Sequence, residues 1–381
     1  MHTFFLKSKP GSYPKQTVLL WILLTVILAS CSLETNRGSA ADFEQPPKIK
    51  VKLVIVTMFE IGDDTGDTPG EFQLWKERRE LNERYEFKHS HHDLFYNSTS
   101  QILGMVTGIG TAKSATATMA LGLDDRFDLT EAYWLVAGIA GIDPENASIG
   151  SVAWSSFLVD GDLGYEIDSR EIPPSWDTGF FAFDTTFPYS DPRPEPSGEM
   201  FIANPDLRDW AFDLTKDLKL IDSDELATAR AIYTDHPMAR KPPFVLSGGH
   251  IAAMTFWHGK IKNDWANEWV RYWSDGATDF VTSAMEETGT YQALTYLDNI
   301  NKVDKQRFMV LRGGSNYTMQ PPSLTAAENL LRESDGYSGM ELSLENIYLV
   351  GSVVIDELLK NWDSHGEKTP RISSQSKSTD D

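Results

Sequence analysis

The stretch ILGMVTGIGTAK at residues 102–113 decides the class of fold. Its first part, residues 102–107, is a mainly apolar run of the length of a β-strand that is buried on both faces. The glycines of Thr107-Gly108-Ile109-Gly110 then allow a turn in which the backbone approaches a ligand closely. Alanines at positions 112, 115, 117 and 120 predict a helix that packs closely on the sheet. A strand, a glycine turn and a helix in this order are typical of parallel α/β proteins.

Similar apolar runs recur and extend this prediction to a whole sheet. They are continuous rather than alternating, as expected for strands that are covered on both faces. We predict strands at residues 51–56, 102–107, 133–137, 152–159, 244–247 and 308–312. The sequence therefore indicates an α/β fold with a central mixed, mostly parallel sheet flanked by helices. One helix is predicted over residues 344–362, and Gly351 inside it indicates a close packing contact.

Residues 48–362 are expected to form a single α/β domain. Within them, residues 160–243 are rich in proline and aromatic residues, which indicates an elaborated insertion or a cap over the site. The tail at residues 363–381 is polar and is expected to be disordered.

The N-terminus has the layout of an export signal. A basic region without acidic residues precedes an apolar run at residues 18–29, which is too short for an ordinary spanning helix. The run ends in Leu-Ala-Ser-Cys31, which resembles the bacterial lipobox, and Cys31 is the only cysteine. We expect a signal peptide at residues 1–30, lipid on Cys31, a flexible tether at 31–47, and an exported domain anchored to a membrane that faces the periplasm or the cell exterior. The alternative is a plain signal anchor with a buried cysteine.

The acidic composition restricts the partners. The net charge is −22, and removal of residues 1–30, with three lysines and no acidic residue, takes it to −25. Such a surface repels nucleic acid and anionic lipid headgroups. No second apolar segment approaches spanning length, so we do not expect a permease that forms its own pore.

No metal site is predicted. His91-His92-Asp93 lacks a third ligand at a recognised spacing and fits a solvated surface loop. Asp63, Asp64, Asp67 and Glu71 lack the spacing of a calcium loop and are expected to face solvent. The tryptophans at 257, 265, 269 and 273 are expected to serve packing rather than a ligand cage.

Four short motifs occur in an order that indicates a function. The first glycine turn and a second one, Ala137-Gly138-Ile139-Ala140-Gly141, are followed by Met285-Glu286-Glu287 at the start of a helix and by the segment RGGSN, residues 312–316, after a strand. Each motif alone fits a plain turn or helix start. Their order resembles the nucleoside phosphorylase and nucleosidase families, and residues 48–362 resemble the purine nucleoside permease family. The segments that carry this resemblance are VIVTMFEIGDD (54–64), VTGIGTAK (106–113), LVAGIAGI (135–142), AMEETG (284–289) and LRGGSNYTM (311–319).

The resemblance implies a three-layer nucleoside phosphorylase-like fold and a purine nucleoside as the ligand. It places Gly108, Gly110, Gly138, Met285, Arg312 and Ser315 in the binding site, with Glu286 on the ribose hydroxyls. Asn316 stands where many relatives carry a general-acid Asp, so it fits hydrogen bonding to N7 and O6 of inosine or guanosine rather than proton donation. His250 either contacts the purine or is structural.

Water is the favoured nucleophile. The positions that hold phosphate in phosphorylases are Val136 and Ile139 here, and Lys113 is the nearest remaining cation. Glu60 lies close to the position of the general base of nucleosidases. We therefore expect hydrolysis without a cofactor; phosphate would be a co-substrate if the reaction were phosphorolysis.

Three functions remain open at this point. The first is cleavage of the N-glycosidic bond of inosine, guanosine or adenosine in support of nucleoside uptake. The second is a non-catalytic nucleoside-binding component that passes its ligand to a separate transporter. The third, a structural lipoprotein, does not explain the four ordered motifs. The resemblance also implies that the chain forms a homo-oligomer.

Overall fold

A computed structural model describes residues 47–333 and 339–372. Cys31, with the predicted signal and tether, lies outside these residues. From Lys48 onward the described residues belong to one compact unit. No helix within the described ranges is both long and apolar enough to cross a membrane.

The strands and helices alternate along much of the chain. The strands are β1 (Ile49–Lys50), β2 (Leu53–Thr57), β3 (Glu83–Tyr85), β4 (Leu94–Asn97), β5 (Ile102–Val106), β6 (Phe127–Asp128), β7 (Tyr133–Ile142), β8 (Val152–Ser155), β9 (Phe157–Asp160), β10 (Tyr165–Glu166), β11 (Phe180–Phe181), β12 (Met200–Ile202), β13 (Val245–Ser247), β14 (Gly249–Ala252), β15 (Phe280–Ala284) and β16 (Phe308–Tyr317). The helices are α1 (Gln73–Arg78), α2 (Thr111–Gly122), α3 (Pro205–Thr215), α4 (Asp224–Ala231), α5 (Lys260–Trp273), α6 (Glu287–Asp298), α7 (Ala326–Glu333), α8 (Met340–Lys360) and α9 (Trp362–His365).

A central mixed sheet confirms the predicted α/β class. Its strands lie in the order β12-β9-β14-β15-β7-β2-β5-β4-β3, and β16 pairs with both β7 and β8. The pairs β2–β5, β2–β7 and β16–β7 are parallel, while β15–β7 and β16–β8 are antiparallel. Strands β2, β7 and β16 therefore run side by side in one direction, and their carboxyl ends meet at the same edge.

The sheet is covered by helices on both faces, which explains the continuous apolar runs. On β2, Val54 and Val56 belong to a core with Ala117 of α2 and Leu294 of α6. Leu53 and Ile55 belong to a second core that includes α8 residues such as Val350. Successive residues of one strand thus pack into opposite layers, so neither face requires polar side chains.

Several element boundaries differ from the predictions. β7 and β16 each run 10 residues, beyond the predicted ends at 137 and 312, because they continue their parallel pairing through the glycine-rich segments. The predicted strand 152–159 is two strands, β8 and β9, which pair with different neighbours. The predicted helix 344–362 is α8, Met340–Lys360. Its Gly351 packs closely, since an added Cβ would lie 2.7 Å from Cη2 of Trp75.

The described part of the predicted disordered tail is ordered. Residues Trp362–His365 form α9, and the carbonyl of His365 accepts hydrogen bonds from Tyr133 Oη at 2.7 Å and Arg307 Nη1 at 3.0 Å. Arg307 Nη2 donates to the carbonyl of Gly366 at 2.8 Å. Polar side chains predicted disorder here, but the segment is held through its backbone carbonyls, which composition does not reveal.

Candidate functional site

A cavity of about 290 Å³ opens where β2, β7, β15 and β16 end. Its lining residues come from these strands and the segments after them, from the segment after β14, from α8 and from the turn at Ile109, and none comes from residues 160–243. The cavity is lined by Met58, Phe59, Glu71, Ile109, Ile139, Ala140, Gly141, Thr255, Phe256, Trp257, Ser283, Ala284, Met285, Glu286, Arg312, Ser315, Asn316, Thr318 and Met340.

Arg312 of β16 is the polar centre of the cavity. Its side chain is 1% exposed and its guanidinium is bound on all sides. Nε donates to Glu287, Nη2 donates to Glu286 Oε2 at 2.8 Å, and Nη1 donates to the carbonyl of Ile139 at 3.0 Å. Nη1 also lies 3.7 Å from Glu71 Oε1. Three carboxylates thus share one cation, although burial opposes that charge, and they raise the pKa of Arg312 further above its usual value.

Glu286 caps α6 and faces the cavity. Its Oε1 accepts a hydrogen bond from the backbone N–H of Gly110 at 2.9 Å, which links the first glycine turn to the Met-Glu motif. Gly110 has φ of +105°, a conformation that favours glycine and aims this N–H at the carboxylate. Burial raises the pKa of Glu286, with Arg312 opposing the rise. Among the described residues Oε1 accepts from one donor, so it retains acceptor capacity for a ligand hydroxyl.

Glu71 is the functional carboxylate that the sequence analysis missed. It was expected in a solvent-facing acidic loop, yet it is 3% exposed and lines the cavity. Its Oε2 accepts from the N–H of Met58 and its Oε1 from the N–H of Ile139, both at 2.8 Å. Burial raises the pKa of Glu71 to about 8 against the opposing charge of Arg312, and the nearby Glu286 adds to the rise.

Gly138 makes room for this arrangement. An added Cβ would collide with Glu71 Oε1 and would lie 2.5 Å from Arg312 Nη1. The second glycine turn is therefore needed for space beside the charged groups, and any side chain at this position would displace one of them.

Glu60 does not line the cavity, unlike Glu71. Its carboxylate accepts backbone N–H groups at the approach to α1, from Gly70, from Phe72 at 2.9 Å and from Gln73 at 2.5 Å. It also accepts from its neighbour Ile61 at 2.8 Å. These bonds tie the Glu60 carboxylate to the loop of residues 61–70 and to the start of α1.

His250 is fully buried and is not among the lining residues. Its Nε2 lies 2.7 Å from Glu287 Oε2, and its Nδ1 lies 2.9 Å from Thr282 Oγ1. Both ring nitrogens are occupied within the protein, so this geometry fits the structural alternative rather than contact with a purine. Burial opposes the charge of Glu287, but Arg312 and His250 hold its pKa well below the usual range.

Ser315 and Asn316 of β16 also line the cavity. Ser315 Oγ lies 3.0 Å from Asn316 Oδ1, and Asn316 Nδ2 donates to the carbonyl of Tyr317 at 3.2 Å. The amide retains one hydrogen on Nδ2 and one lone pair on Oδ1 for a ligand. Trp257 also lines the cavity, in addition to its expected packing against Trp265 and Phe280. Trp265, Trp269 and Trp273 belong to a hydrophobic core, as predicted.

The family model described as purine nucleoside permease matches residues 50–370. This chain belongs to the purine nucleoside permease family. The resemblance inferred from the motifs is thereby confirmed. A purine nucleoside permease of Candida albicans is 30% identical over 287 residues, which are 74% of this chain and 70% of that protein. A probable purine nucleoside permease of Schizosaccharomyces pombe is 30% identical over 275 residues, 70% of this chain and 78% of its own length.

Solved structures that align with this chain include a putative nucleosidase and a hydrolase. A putative 5′-methylthioadenosine/S-adenosylhomocysteine nucleosidase of Francisella philomiragia is 15% identical, with a TM-score of 0.48 over 80% of this chain and 98% of that chain. The futalosine hydrolase of Helicobacter pylori is 14% identical, with a TM-score of 0.47 over 81% of this chain and 98% of that chain.

In this permease-family chain the cavity unites five of the predicted site residues: Met285, Glu286, Arg312, Ser315 and Asn316. Gly110 and Gly138 lie directly behind them through the contacts to Glu286, Glu71 and Arg312. Gly108 does not line the cavity; its φ is +86°, and an added Cβ would lie 2.8 Å from Cδ of Lys113. Lys113 is exposed and is absent from the lining too.

Proposed function

We propose that this chain binds a purine nucleoside in the cavity and cleaves its N-glycosidic bond by hydrolysis. The observation that carries the proposal is the pair of buried carboxylates, Glu71 and Glu286, placed on the same guanidinium of Arg312 in one cavity. A buried pair of acids with raised pKa values, beside a fixed cation, is typical of a catalytic site.

Glu286 binds the ribose in this proposal. A carboxylate oxygen that already accepts one N–H has a lone pair left for a hydroxyl, and a charged acceptor gives about 1.5–3 kcal/mol for such a bond. Arg312 fixes the carboxylate from behind, so little conformational entropy is lost when the sugar binds.

Glu71 acts as the general base in place of Glu60, the residue that the sequence suggested. It removes a proton from a water molecule, whose oxygen forms a bond to C1′ of the ribose as the bond from C1′ to N9 breaks. The bonding electrons leave with the purine, which takes up one proton, so the products are ribose and the free base. The reaction needs no cofactor, and because burial raises the pKa of Glu71 to about 8, the carboxylate form that accepts this proton increases as the pH rises toward that value.

The charges around the cavity favour water over phosphate. Arg312 is the one cation among the lining residues, and three carboxylates already surround it. Val136 and Ile139 offer no donor from their side chains, and Lys113 does not line the cavity. A phosphate dianion would have to lose its hydration shell beside two carboxylates without a free partner, which is unfavourable.

The direct test is to incubate the purified protein with inosine, guanosine and adenosine and to measure the free base by chromatography. Binding of the same nucleosides is measured in parallel by calorimetry. We expect both binding and release of base for at least one of the three nucleosides. If the protein bound one or more of these nucleosides but released no free base from any of them, the catalytic proposal would be contradicted.

One observation favours the second candidate, a nucleoside-binding component that delivers its ligand to a separate transporter. Asn316 cannot readily donate a proton to a departing base, whereas a carboxylic acid at this position would. With Asn316 the purine must leave as a base that is stabilised by hydrogen bonds alone, or take its proton from water. A protein that only binds nucleosides would have no need of that proton.

Self-association of the chain remains a further proposal.

Asn316→Asp is therefore expected to shift the preference from inosine and guanosine toward adenosine. A protonated aspartate supplies the proton for N7, while the lost amide removes the donor for O6 of a 6-oxopurine. Relative values of kcat/KM for inosine and adenosine check this, with Asn361→Asp at the C-cap of α8 as a control remote from the cavity. Unchanged preference and unchanged rate would show that Asn316 does not contact the base.

We further propose that the chain is exported and carries lipid on Cys31, outside the described residues. Cys31→Ser is expected to abolish incorporation of labelled fatty acid and to leave an uncleaved precursor, because the lipobox cysteine is both the lipid acceptor and the new N-terminus. Gel mobility and mass of the mature protein in a bacterial expression host check this. Normal processing of the variant would contradict the lipoprotein proposal.

A further inference from the structure

Glu287 is a buried carboxylate that the proposed reaction does not use. It is the first residue of α6, it is fully buried, and it is not among the residues that line the cavity. One oxygen accepts from Arg312 Nε, and the other lies 2.7 Å from His250 Nε2. Glu287 therefore reaches the cavity through the guanidinium of Arg312 and through the backbone N–H of Glu286, which donates to Glu287 Oε2 at 3.2 Å.

The three carboxylates around Arg312 are not equivalent. Glu287 and Glu286 hydrogen-bond to Nε and Nη2, whereas Glu71 Oε1 is 3.7 Å from Nη1. One guanidinium carries one positive charge, and Glu287, bound most closely, offsets it. Glu286 and Glu71 are then buried without a full compensating charge, and in an interior of low dielectric such groups retain a proton more readily.

We propose that Glu287 is a positioning residue that neutralises Arg312 from behind the cavity and so leaves Glu71 with the proton affinity that a general base requires. This inference rests on the proposed function. The titratable and charged groups that face Glu71 and Glu287 are Arg312 of β16, Glu286 at the start of α6 and His250 of β14. The division of pKa directions agrees with it: the pKa is lowered for Glu287 and raised for Glu71 and Glu286.

The variant Glu287→Gln separates charge from shape. Its amide oxygen can accept from Arg312 Nε, and its amide N–H can donate to His250 Nε2. His250 then carries its proton on Nδ1, and this N–H donates a hydrogen bond to Thr282 Oγ1, which lies 2.9 Å from Nδ1 in the wild type. The hydrogen bonds to Arg312 and His250 are kept by this change of tautomer, while one negative charge and the acceptor for the backbone N–H of Glu286 are removed.

The readout is the pH dependence of kcat/KM for base release. In the wild type, the acid limb of the profile reports ionisation of Glu71. In Glu287→Gln the freed charge of Arg312 favours ionised Glu71, so we expect the midpoint of this limb to move to lower pH by about 1–3 units. Glu287→Asp keeps the negative charge but moves it away from Arg312, so its midpoint is expected between those of the wild type and Glu287→Gln. If Glu287→Gln does not fold, Glu287→Asp is used for the test in its place.

Glu345→Gln is the matched control. It removes the same charge from a partly exposed ion pair with Arg78, whose Nη atoms lie 2.6 and 2.7 Å from the Glu345 carboxylate. Its profile is expected to match the wild type. An active Glu287→Gln with an unchanged midpoint would overturn the inference, because a merely structural Glu287 would change the rate or the stability and not the midpoint.

A failure of the proposed function gives a different result. Wild-type protein that releases no base at any pH would contradict the hydrolytic role of Glu71. The charge inference is then tested by the pH dependence of inosine binding, followed through the fluorescence of Trp257 in the cavity. A shift of that binding profile to lower pH in Glu287→Gln would support the charge role of Glu287, and an unshifted profile would overturn it.

Discussion

Glu71→Gln is expected to slow the release of purine base by about 10²- to 10⁴-fold, the usual contribution of a general base. The amide cannot remove a proton from water, and it occupies the same volume between Met58 and Ile139. Nucleoside affinity is expected to change little, because Glu286 and Asn316 remain in place. The measurement is kcat from chromatography of the free base, with Kd from calorimetry.

Glu60→Gln is the informative comparison, since Glu60 is the residue that the sequence alone suggested for this role. Its carboxylate caps the approach to α1 through backbone N–H groups. The change is expected to lower the thermal stability of the protein without a comparable loss of kcat. A large loss of kcat in Glu60→Gln, with a small one in Glu71→Gln, would reverse the assignment.

The buried state of Glu71 also predicts an effect on stability. Its pKa rises from 4.5 to about 8 on folding, chiefly through burial. Between these values the folded chain holds a proton that the unfolded chain has released, so this group makes the free energy of unfolding fall as pH rises. Glu71→Gln removes that titration. The free energy of unfolding, measured with denaturant at pH values below and above this window, is therefore expected to fall less with rising pH in the variant than in the wild type.

Glu286→Ala is expected to reduce nucleoside affinity by about 10- to 100-fold for each charged hydrogen bond that is lost to the ribose. The change also leaves the N–H of Gly110 without its acceptor and frees Nη2 of Arg312, so the loss includes some disorder of the site. Calorimetric titration with inosine and 2′-deoxyinosine measures it. The deoxy compound is expected to lose less affinity than inosine.

Glu341→Ala controls for the loss of a glutamate side chain, because Glu341 is exposed in the first turn of α8. It is expected to bind inosine as the wild type does. Two results would contradict the contact between Glu286 and the ribose hydroxyls. One is that Glu286→Ala binds inosine as tightly as the wild type, and the other is that it loses equal affinity for inosine and 2′-deoxyinosine.

The sequence was sufficient where the chemistry lies in contiguous residues. Met285-Glu286 follows directly on β15, and Arg312 to Asn316 lie within β16, at and beyond the predicted strand end at 312. The motifs themselves therefore identified these side chains, although β15 was not among the predicted strands. The family followed from the same segments. The buried strands could also be predicted, because a strand that is covered on both faces has a continuous run of apolar residues.

The sequence was insufficient where a loop returns to the site. Glu71 lies 14 residues beyond Thr57, the end of β2, and nothing in the acidic segment between them distinguishes the one carboxylate that turns inward. Glu60 is nearer to β2 and was therefore predicted as the general base, but its carboxylate accepts hydrogen bonds from backbone N–H groups just before α1. The pairing of Glu287 with His250 was equally hidden, since it joins α6 to β14, which are distant in the chain.

The central claim is that water attacks a purine nucleoside in this cavity with Glu71 as the base. Its most direct test is the initial rate of hypoxanthine release from inosine, with and without phosphate, in the wild type and in Glu71→Gln, with the sugar product identified by mass spectrometry. We predict free ribose, a rate that is independent of phosphate, and loss of that rate in the variant. Release that strictly requires phosphate and yields ribose 1-phosphate would contradict the account.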